Sequence, residues 1–331
     1  MNTARAFVVS VATLGTTSFA WDSAGHRAIT VAAMEGLPDS VPGWLKDQST
    51  IAQVADQAVV PDRWRGSKIA QLNHLNNPDH YIDLEDLEPF GMTVDSMPIL
   101  RYEFVRELTL ARERAGKEFK GRPISSARDP LKVNEWPGFL PYGMAEQYAK
   151  VQNAFKTVRI LEKLNQPARD EQLKMARANA MYNMGVLSHL VGDCAQPLHT
   201  TRHHHGWEGA NPNGYTTDRG IHSYIDGAIV KKHKLDAKAI AEGTTFDATL
   251  NPLDPWDDII AQLKRSFAQV EPLYQLKKSG ELEQDKGKAF IKERLADAAR
   301  SLEAMYQIAW ESADPTEQDV KDFLKYDNFN D

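Results

Sequence analysis

Two His-x-x-x-Asp pairs in the second half of the chain constrain its fold more than any other feature. His189 and Asp193 form the first pair, and His222 and Asp226 form the second. Residues four apart project from the same face of an α-helix, so each pair predicts two neighbouring ligands on a helix. His199 lies between the pairs, after a proline that should interrupt the first helix. We therefore expect these side chains to meet at one metal-binding region.

The rest of the sequence favours a mainly α-helical protein. Hydrophobic residues make up 42% and charged residues 26% of the 331 residues, as in an ordinary globular domain. No internal apolar run approaches the ~18 residues that suggest a membrane span, and alternating strand patterns are almost absent. Helical spacing predicts helices at residues 27–37, 44–58, 98–116, 144–164, 170–192, 255–276 and 287–313. We expect one compact multi-helix domain, with loops at 118–134 and 206–220.

Apolar spacing also predicts which helix faces are buried. Four residues of the 98–116 helix fall roughly on one side: Leu100, Phe104, Leu108 and Leu110. Met181 and Met184 of the 170–192 helix recur at helical spacing with Leu187, Ser188 and Val191, and we interpret these methionines as core packing. Cys194 is the only cysteine, so no intramolecular disulfide can form, and its small-residue surroundings favour a buried structural thiol.

The first twenty residues have the pattern of a secretory signal peptide. Arg5 precedes an apolar stretch at residues 6–15, and Ser18-Phe19-Ala20 has the small-x-small form of a cleavage site. We expect cleavage before Trp21 and export to the periplasm or the medium, although a helical or disordered tail is the alternative. Loss of Arg5 would change the formal net charge from −7 to −8. A negative net charge argues against non-specific binding to duplex nucleic acid.

Histidine and aspartate side chains are the candidate functional groups of this chain. The sequence contains no His-Glu-x-x-His motif, Gly-rich phosphate loop, Gly-x-Ser-x-Gly elbow or Cys-x-x-Cys pair. A single His/Asp pair is more typical of an exposed helix surface, but two pairs with His199 between them favour a metal site. Zinc binds imidazole nitrogen and carboxylate oxygen readily, and a catalytic zinc keeps one position open.

Five motifs together resemble the S1/P1 nuclease family, which forms one superfamily with the zinc-dependent bacterial phospholipases C. The resemblance covers Trp21 to about Asp226, and the remainder matches only as helix-rich sequence. In chain order the motifs are Trp21-x-x-x-Gly25-His26, Asp62-x-x-Arg65, His80-Tyr81-Ile82-Asp83, His189-x-x-Gly192-Asp193-x-x-Gln196-Pro197-x-His199 and His222-Ser223-x-x-Asp226.

The resemblance implies a compact fold of that superfamily and three zinc ions with specified ligands. One zinc would be bound by Asp62, His80, His189 and Asp193. A second would be bound by His199, His222 and Asp226. The third would be bound by the α-amine and carbonyl oxygen of Trp21, by His26 and by a bridging Asp193. Only cleavage before Trp21 would create that free amine.

Several assignments stay open at this point. Asp56 competes with Asp62 as the early carboxylate ligand, and Asp62 is favoured because Arg65 follows it at the spacing of the motif. Residues 84–141 form a longer insertion than in the fungal enzymes, and its apolar stretch 136–141 could cover the site or pack onto the body. Tyr81 and Asp83 would contact a nucleobase, or would serve packing and loop structure.

The histidines outside these motifs receive structural interpretations. His203, His204 and His205 are interpreted as a solvated rim of the site, with extra ligands or substrate contacts as the alternative. His74 and His233 have no motif around them and are interpreted as structural or exposed.

The expected activity is hydrolysis of phosphodiesters by a secreted zinc enzyme. Asp62 and Asp193 would hold the metals that activate hydroxide, and Arg65 would stabilise the phosphate in the transition state. Single-stranded DNA or RNA is the favoured substrate, with 3′-nucleotidase activity as an addition. A zinc-dependent phospholipase C acting on lipid headgroups is the runner-up, supported by the apolar stretch 136–141. A non-catalytic zinc-binding protein is the third alternative.

Overall fold

The computed structural model describes residues 21–122, 135–246 and 254–326. The predicted signal peptide and residues 123–134 of the predicted polar loop lie outside this part of the chain. The described residues are mainly helical, which confirms the predicted class. Within them, β pairing is limited to two isolated bridges, Ile82 with Gly138 and His204 with Gly206. None of the described helices combines the length and hydropathy needed to cross a membrane.

The first half of the chain forms helices and short 3-10 turns. The α-helices are α1 (Ser23–Glu35), α2 (Gly43–Lys46), α3 (Gln48–Gln57), α4 (Val60–Arg65), α5 (Ala70–Asn76), α6 (Arg101–Ala115) and α7 (Leu140–Leu164). The 3-10 segments include Asn77–His80 and Leu84–Phe90.

The second half begins with α8 (Asp170–Ala195) and a 3-10 turn, Pro197–His199. The later helices are α9 (Ile221–Ser223), α10 (Ile229–His233), α11 (Ala237–Ala241), α12 (Trp256–Phe267), α13 (Val270–Ser279), α14 (Asp285–Glu311) and α15 (Glu317–Tyr326). A π-helical turn, Tyr224–Ala228, connects α9 to α10.

Helix α8 is the centre of the fold. It packs against α1, α3, α7 and α14, and every residue from Met184 to Ala195 is buried. A helix that is buried on all sides carries its polar residues into the interior, where they need partners. The predicted core role of Met184, Leu187 and Val191 is confirmed, because none of the three is exposed.

The local sequence explains where several helices begin. The carboxylate of Asp22 accepts hydrogen bonds from the backbone N–H groups of Ala24 and Gly25, so α1 starts four residues earlier than predicted and includes His26. Helix α7 likewise starts at Leu140, with Pro141 in its first turn, where a missing N–H costs nothing.

Two predicted long helices are each divided into two. Residues 44–58 form α2 and α3, because Asp47 between them has an extended backbone with ψ 134°. Residues 255–276 form α12 and α13, and the division has a chemical cause. Pro272 cannot donate a hydrogen bond inside a continuous helix, but it is tolerated in the first turn of α13.

The described residues of the 84–141 insertion, 84–122 and 135–141, pack onto the body of the protein. Phe104 and Leu108 of α6 are buried as predicted, whereas the predictions for Leu100 and Leu110 are wrong, since these side chains are 67% and 39% exposed. Leu100 precedes the helix, and six residues of helical rotation carry Leu110 away from Phe104. Residues 137–141 are buried, so the apolar stretch packs onto the body.

Gly185 permits the close packing of α8 on α3, and we expect its replacement by alanine to destabilise the fold. A Cβ atom at this position would lie 2.3 Å from Cβ of Gln57 and 2.9 Å from the carbonyl oxygen of Val54. Overpacking of this kind costs about 1–3 kcal/mol. Urea denaturation of Gly185→Ala should show this loss in the free energy of unfolding.

Gly43→Ala is the matched control, because a Cβ there meets nothing within 4 Å. It should leave the stability unchanged or slightly raised. Equal stability of the two variants would contradict the packing argument.

Candidate metal centre

Eight side chains from six segments converge beside the buried half of α8. All eight are buried, with at most 6% of any residue exposed. They are His26 from α1, Asp62 from α4, His80 from the 3-10 segment before Tyr81, His189 and Asp193 from α8, His199 from the 3-10 turn after α8, and His222 and Asp226 from the segment 221–228. Six segments that are far apart in sequence therefore contribute to one buried polar cluster.

The side chains form three groups whose ligand atoms lie within 4.8 Å of one another. The first group is His26, Asp62 and His189; the second is His80, His189 and Asp193; the third is His199, His222 and Asp226. Each group brings together the nitrogen and oxygen donors that hold a divalent metal ion. His189 belongs to two groups, so the first two metal positions are adjacent.

Asp193 contacts different imidazoles through its two oxygens. Its Oδ1 lies 3.4 Å from Nε2 of His26, whereas its Oδ2 lies 2.9 Å from Nδ1 of His80 and 3.4 Å from Nε2 of His189. A carboxylate placed in this way can bind one metal ion with each oxygen. The predicted helical His189/Asp193 pair is present on α8, and both side chains are fully buried.

The third group is built on the π-helical turn after α9. His222 and Asp226 approach within 3.4 Å, and Nε2 of His222 lies 2.9 Å from Nε2 of His199. Gln196 fixes this arrangement by donating a hydrogen bond of 2.7 Å to Oδ1 of Asp226. The sequence motif contains Gln196, but its role in orienting a ligand emerges only from the structure.

Close packing brings His26 to the cluster. A Cβ atom on Gly192 would lie 2.8 Å from Nδ1 of His26, so only glycine leaves room at this point of α8. The rings of His26 and His189 are stacked with their centroids 3.9 Å apart. Trp21 is fully buried, and its indole N–H donates to the carbonyl oxygen of Gly192 over 2.9 Å. This bond holds the start of the predicted mature chain beside the cluster.

The structure separates the two candidates for the early carboxylate. Oδ1 of Asp62 lies 3.9 Å from Nε2 of His189 and is buried without a hydrogen-bond partner among the described residues. Asp56 instead lies on the surface, where its half-exposed side chain pairs with Arg27 over 2.8 Å. Asp62 is therefore the carboxylate that the fold brings to the cluster.

The protonation states of the cluster suit metal binding. Burial lowers the pKa of His26 and His222 well below the usual histidine value, and it lowers the pKa of His80 and His199 to about 4. These imidazoles are therefore neutral at pH 7, as metal ligands must be. Burial opposes ionisation of Asp193, but the nearby His189 and His199 hold its pKa well below the usual value.

The pKa of His189 shifts in the opposite direction from the pKa values of the other four imidazoles. Burial opposes its protonation, but the carboxylates of Asp193 and Asp62 raise its pKa above the ordinary value. Without a metal, these two carboxylates favour the protonated form of His189. A metal ion would replace that proton.

Buried polar atoms without hydrogen-bond partners also indicate that the cluster could hold metal ions. Within the described residues, both ring nitrogens of His26, Nε2 of His80, and Oδ1 of Asp62 and of Asp193 are buried and make no hydrogen bond. Such groups are costly unless they bind a ligand, an ion or ordered water. The donor set and these unpaired atoms together fit divalent metal ions.

Arg65 lies close enough to the cluster for its charge to matter. It contributes to the lowered pKa of His80, His199 and His222, after the larger effect of burial. Its side chain is half-buried at the end of α4, three residues after Asp62. Arg65 is thus placed to add positive charge beside the metal positions.

The two predicted substrate contacts have different surroundings. Tyr81 is half-buried. Asp83 is almost fully buried, and its carboxylate pairs with Arg122 of the insertion over 2.7 Å, with Nδ1 of His204 at 3.6 Å. These contacts favour the structural alternative for Asp83, because the side chain is already used by the protein.

The interpretations of His74, His233 and Cys194 are confirmed, whereas the histidines at 203–205 are less exposed than the solvated rim that the sequence predicts. His203, His204 and His205 are half-buried, and the rings of His204 and His205 approach His222. His233 is buried and its Nε2 lies 2.9 Å from the carbonyl oxygen of Leu282, while His74 is exposed. Cys194 is a buried free thiol whose pKa is raised by burial.

No protein-family model matches this chain, and no curated protein matches its sequence.

We expect Asp193→Asn to lose at least one bound divalent metal ion per chain. The amide preserves the shape of the side chain but removes the charge that balances two metal positions. The metal content of the purified protein, measured by mass spectrometry of the metals, tests this expectation. Asp56→Asn is the matched control and should retain the full content. Equal metal content of the two variants would contradict the central position of Asp193.

Proposed function

We propose that this protein is a zinc-dependent phosphodiesterase that prefers single-stranded nucleic acid. The observation that carries the proposal is the position of Asp193, which faces His26 with one oxygen and His80 and His189 with the other. A carboxylate shared in this way, next to a third group of His199, His222 and Asp226, supports three closely spaced metal ions. Closely spaced metal ions are typical of enzymes that cleave phosphate esters.

Zinc is the metal that the donor set favours. The ligands are neutral imidazole nitrogens and carboxylate oxygens, without a thiolate or an all-oxygen shell. In such sites zinc supplies a water molecule of lowered pKa and positive charge that stabilises phosphate oxygens. Asp62, His80, His189 and Asp193 would hold one ion, and His199, His222 and Asp226 would hold another. Trp21, His26 and Asp193 would hold the third.

The third ion would depend on processing of the chain. Removal of residues 1–20 would give Trp21 a free α-amine, and export to the periplasm or medium would accompany it. The buried indole of Trp21 and the hydrogen bond from the N–H of Asp22 to the carbonyl oxygen of Asp226, 2.8 Å long, support this role. They fix the backbone of this segment between α8 and the third group.

The chain's own side chains would bind and orient the phosphate. Arg65, beside the cluster, would contact a phosphate oxygen and stabilise charge that develops in the transition state. Tyr81, next to His80 in the chain, would pack against the substrate. Asp83 is proposed to fix the surrounding loop rather than to bind a base, since Arg122 already pairs with it.

A substrate panel tests the activity directly. The protein isolated after export and loaded with zinc should cleave single-stranded DNA or RNA, and duplex DNA more slowly. A chelator should abolish cleavage, and added zinc should restore it. The absence of cleavage of any phosphodiester by fully zinc-loaded protein would favour the non-catalytic zinc-binding alternative.

Arg65→Met should lower kcat/KM on single-stranded DNA about 10²-fold, as expected for loss of one transition-state donor. The zinc content should stay unchanged, because Arg65 is not a ligand. Arg63→Met is the control from the same helix, since Arg63 is exposed and its guanidinium lies 3.7 Å from the carboxylate of Asp56. Equal activity of both variants would remove Arg65 from the mechanism.

A phospholipase C is the second candidate, and an apolar groove favours it. The groove has a volume of about 600 Å³ and borders His80. Its lining includes Leu75, Leu100 and Tyr102, which are 63%, 67% and 88% exposed. Exposed apolar patches of this kind mark binding surfaces.

The charges of the groove also differ from those of a phosphate-binding channel. Two basic residues, Arg101 and Lys150, face three acidic residues, Asp79, Glu103 and Glu146. An apolar lipid segment would suit this lining better than a polyanion. The stretch 136–141 no longer supports the lipid alternative, because it is packed into the body. Phosphatidylcholine micelles therefore belong in the same panel, and hydrolysis of micelles without cleavage of DNA would favour the second candidate.

A further inference from the structure

We propose that His205 is a positioning residue that accepts a hydrogen bond from Nδ1 of His222 and holds His222 as a metal ligand. This inference rests on the metal-binding part of the proposed function, and on no assumption about the substrate. It gives a role to the histidine-rich segment 203–205, whose side chains lie next to the third group of ligands.

The surroundings of His222 show which of its nitrogens faces the metal position. Nε2 lies 2.9 Å from Nε2 of His199 and 3.4 Å from Oδ2 of Asp226. A metal bound by these three residues would therefore use Nε2 of His222. The proton of the neutral ring then resides on Nδ1, which becomes a hydrogen-bond donor.

Two of the other four ligand imidazoles, those of His189 and His199, have a backbone acceptor for that proton. Nδ1 of His189 lies 2.8 Å from the carbonyl oxygen of Ala58, and Nδ1 of His199 lies 2.5 Å from the carbonyl oxygen of His80. Metal-binding histidines almost always make such a bond, which fixes the ring and its tautomer. Nδ1 of His222 is buried and has no hydrogen-bond partner in the described ranges.

His205 offers the missing acceptor. Its ring centroid lies 5.5 Å from that of His222, and its Nδ1 is also buried and without a hydrogen-bond partner in the described part of the chain. Two imidazoles joined by a hydrogen bond have centroids about 5 Å apart, given an ordinary N···N distance. Rotation of the His205 ring would bring together two nitrogens that are unsatisfied among the described residues, one a donor and one an acceptor.

The neighbours of His205 restrict its position. The ring of His204 lies 4.6 Å from that of His205, and Nδ1 of His204 lies 3.1 Å from the carbonyl oxygen of Thr201. Asp83 lies 3.6 Å from the same nitrogen, and Arg122 in turn pairs with Asp83. A series of polar contacts thus runs from the insertion, through His204, to the ring that faces His222.

Zinc affinity tests the inference without reference to activity. The metal-free protein is titrated with zinc against a competing chelator of known affinity. His205→Phe keeps a ring but removes the acceptor, so one of the zinc sites should weaken about 10–100-fold while the others are unchanged. His205→Gln, whose side-chain carbonyl can accept the bond, should recover most of the affinity.

The control comes from the same segment. His203 stacks on Trp207 with a centroid distance of 3.9 Å, away from the ligand imidazoles. His203→Phe should therefore bind zinc as the unaltered protein does. Equal zinc affinities of His205→Phe and His203→Phe would overturn the inference.

A second measurement uses the unaltered protein and does not depend on the folding of a variant. Nuclear magnetic resonance of the zinc-loaded, ¹⁵N-labelled protein should show a nitrogen–nitrogen coupling through the hydrogen bond between His222 and His205. Absence of this coupling, with His222 bound to zinc, would also overturn the inference. If the coupling and the affinity loss are present but no phosphodiester is cleaved, the positioning role stands and the proposed activity fails.

Discussion

The buried carboxylate of Asp193 among four imidazoles is the interaction on which the rest of the structure depends. His26, His80, His189 and His199 all have a ring nitrogen within 3.9 Å of its oxygens. Removing a charged group from water costs several kcal/mol unless opposite charge and hydrogen bonds replace the solvent. Each imidazole comes from a different element or from the turn beyond α8, so satisfying this one carboxylate requires the helices to assemble around it.

The backbone provides much of the precision of the cluster. Carbonyl oxygens of Ala58 and His80 orient two of the imidazoles, and Gly192 leaves the space that His26 occupies. These contacts turn ring nitrogens toward shared positions and leave several of them without a hydrogen-bond partner among the described residues. A metal site binds its ion tightly and selectively when neighbouring groups hold the ligand side chains in fixed orientations.

The described part of the insertion contributes a charged contact to the surroundings of the cluster. Arg122 pairs with the buried Asp83, while residues 137–141 pack into the body and leave their apolar groups unavailable to a substrate. The apolar surface that stays exposed lies elsewhere, around the groove beside His80. Two features of this chain thus distinguish the surroundings of the cluster: an aspartate already paired with an arginine, and a groove whose lining is apolar and slightly acidic.

The sequence by itself determined the helical class and the ligand types. Periodicity predicts helices because burial of one face requires it, and the i, i+4 spacing of His189 and Asp193 places both on one side of α8 whatever surrounds it. The sequence favoured Asp62 over Asp56 because Arg65 follows Asp62 at the spacing of the motif, but only the tertiary structure shows that Asp62 faces His189 while Asp56 pairs with Arg27. The unpaired nitrogens of His205 and His222 were likewise invisible in the sequence. Hydrogen-bond satisfaction depends on contacts between distant segments, and no local pattern encodes it.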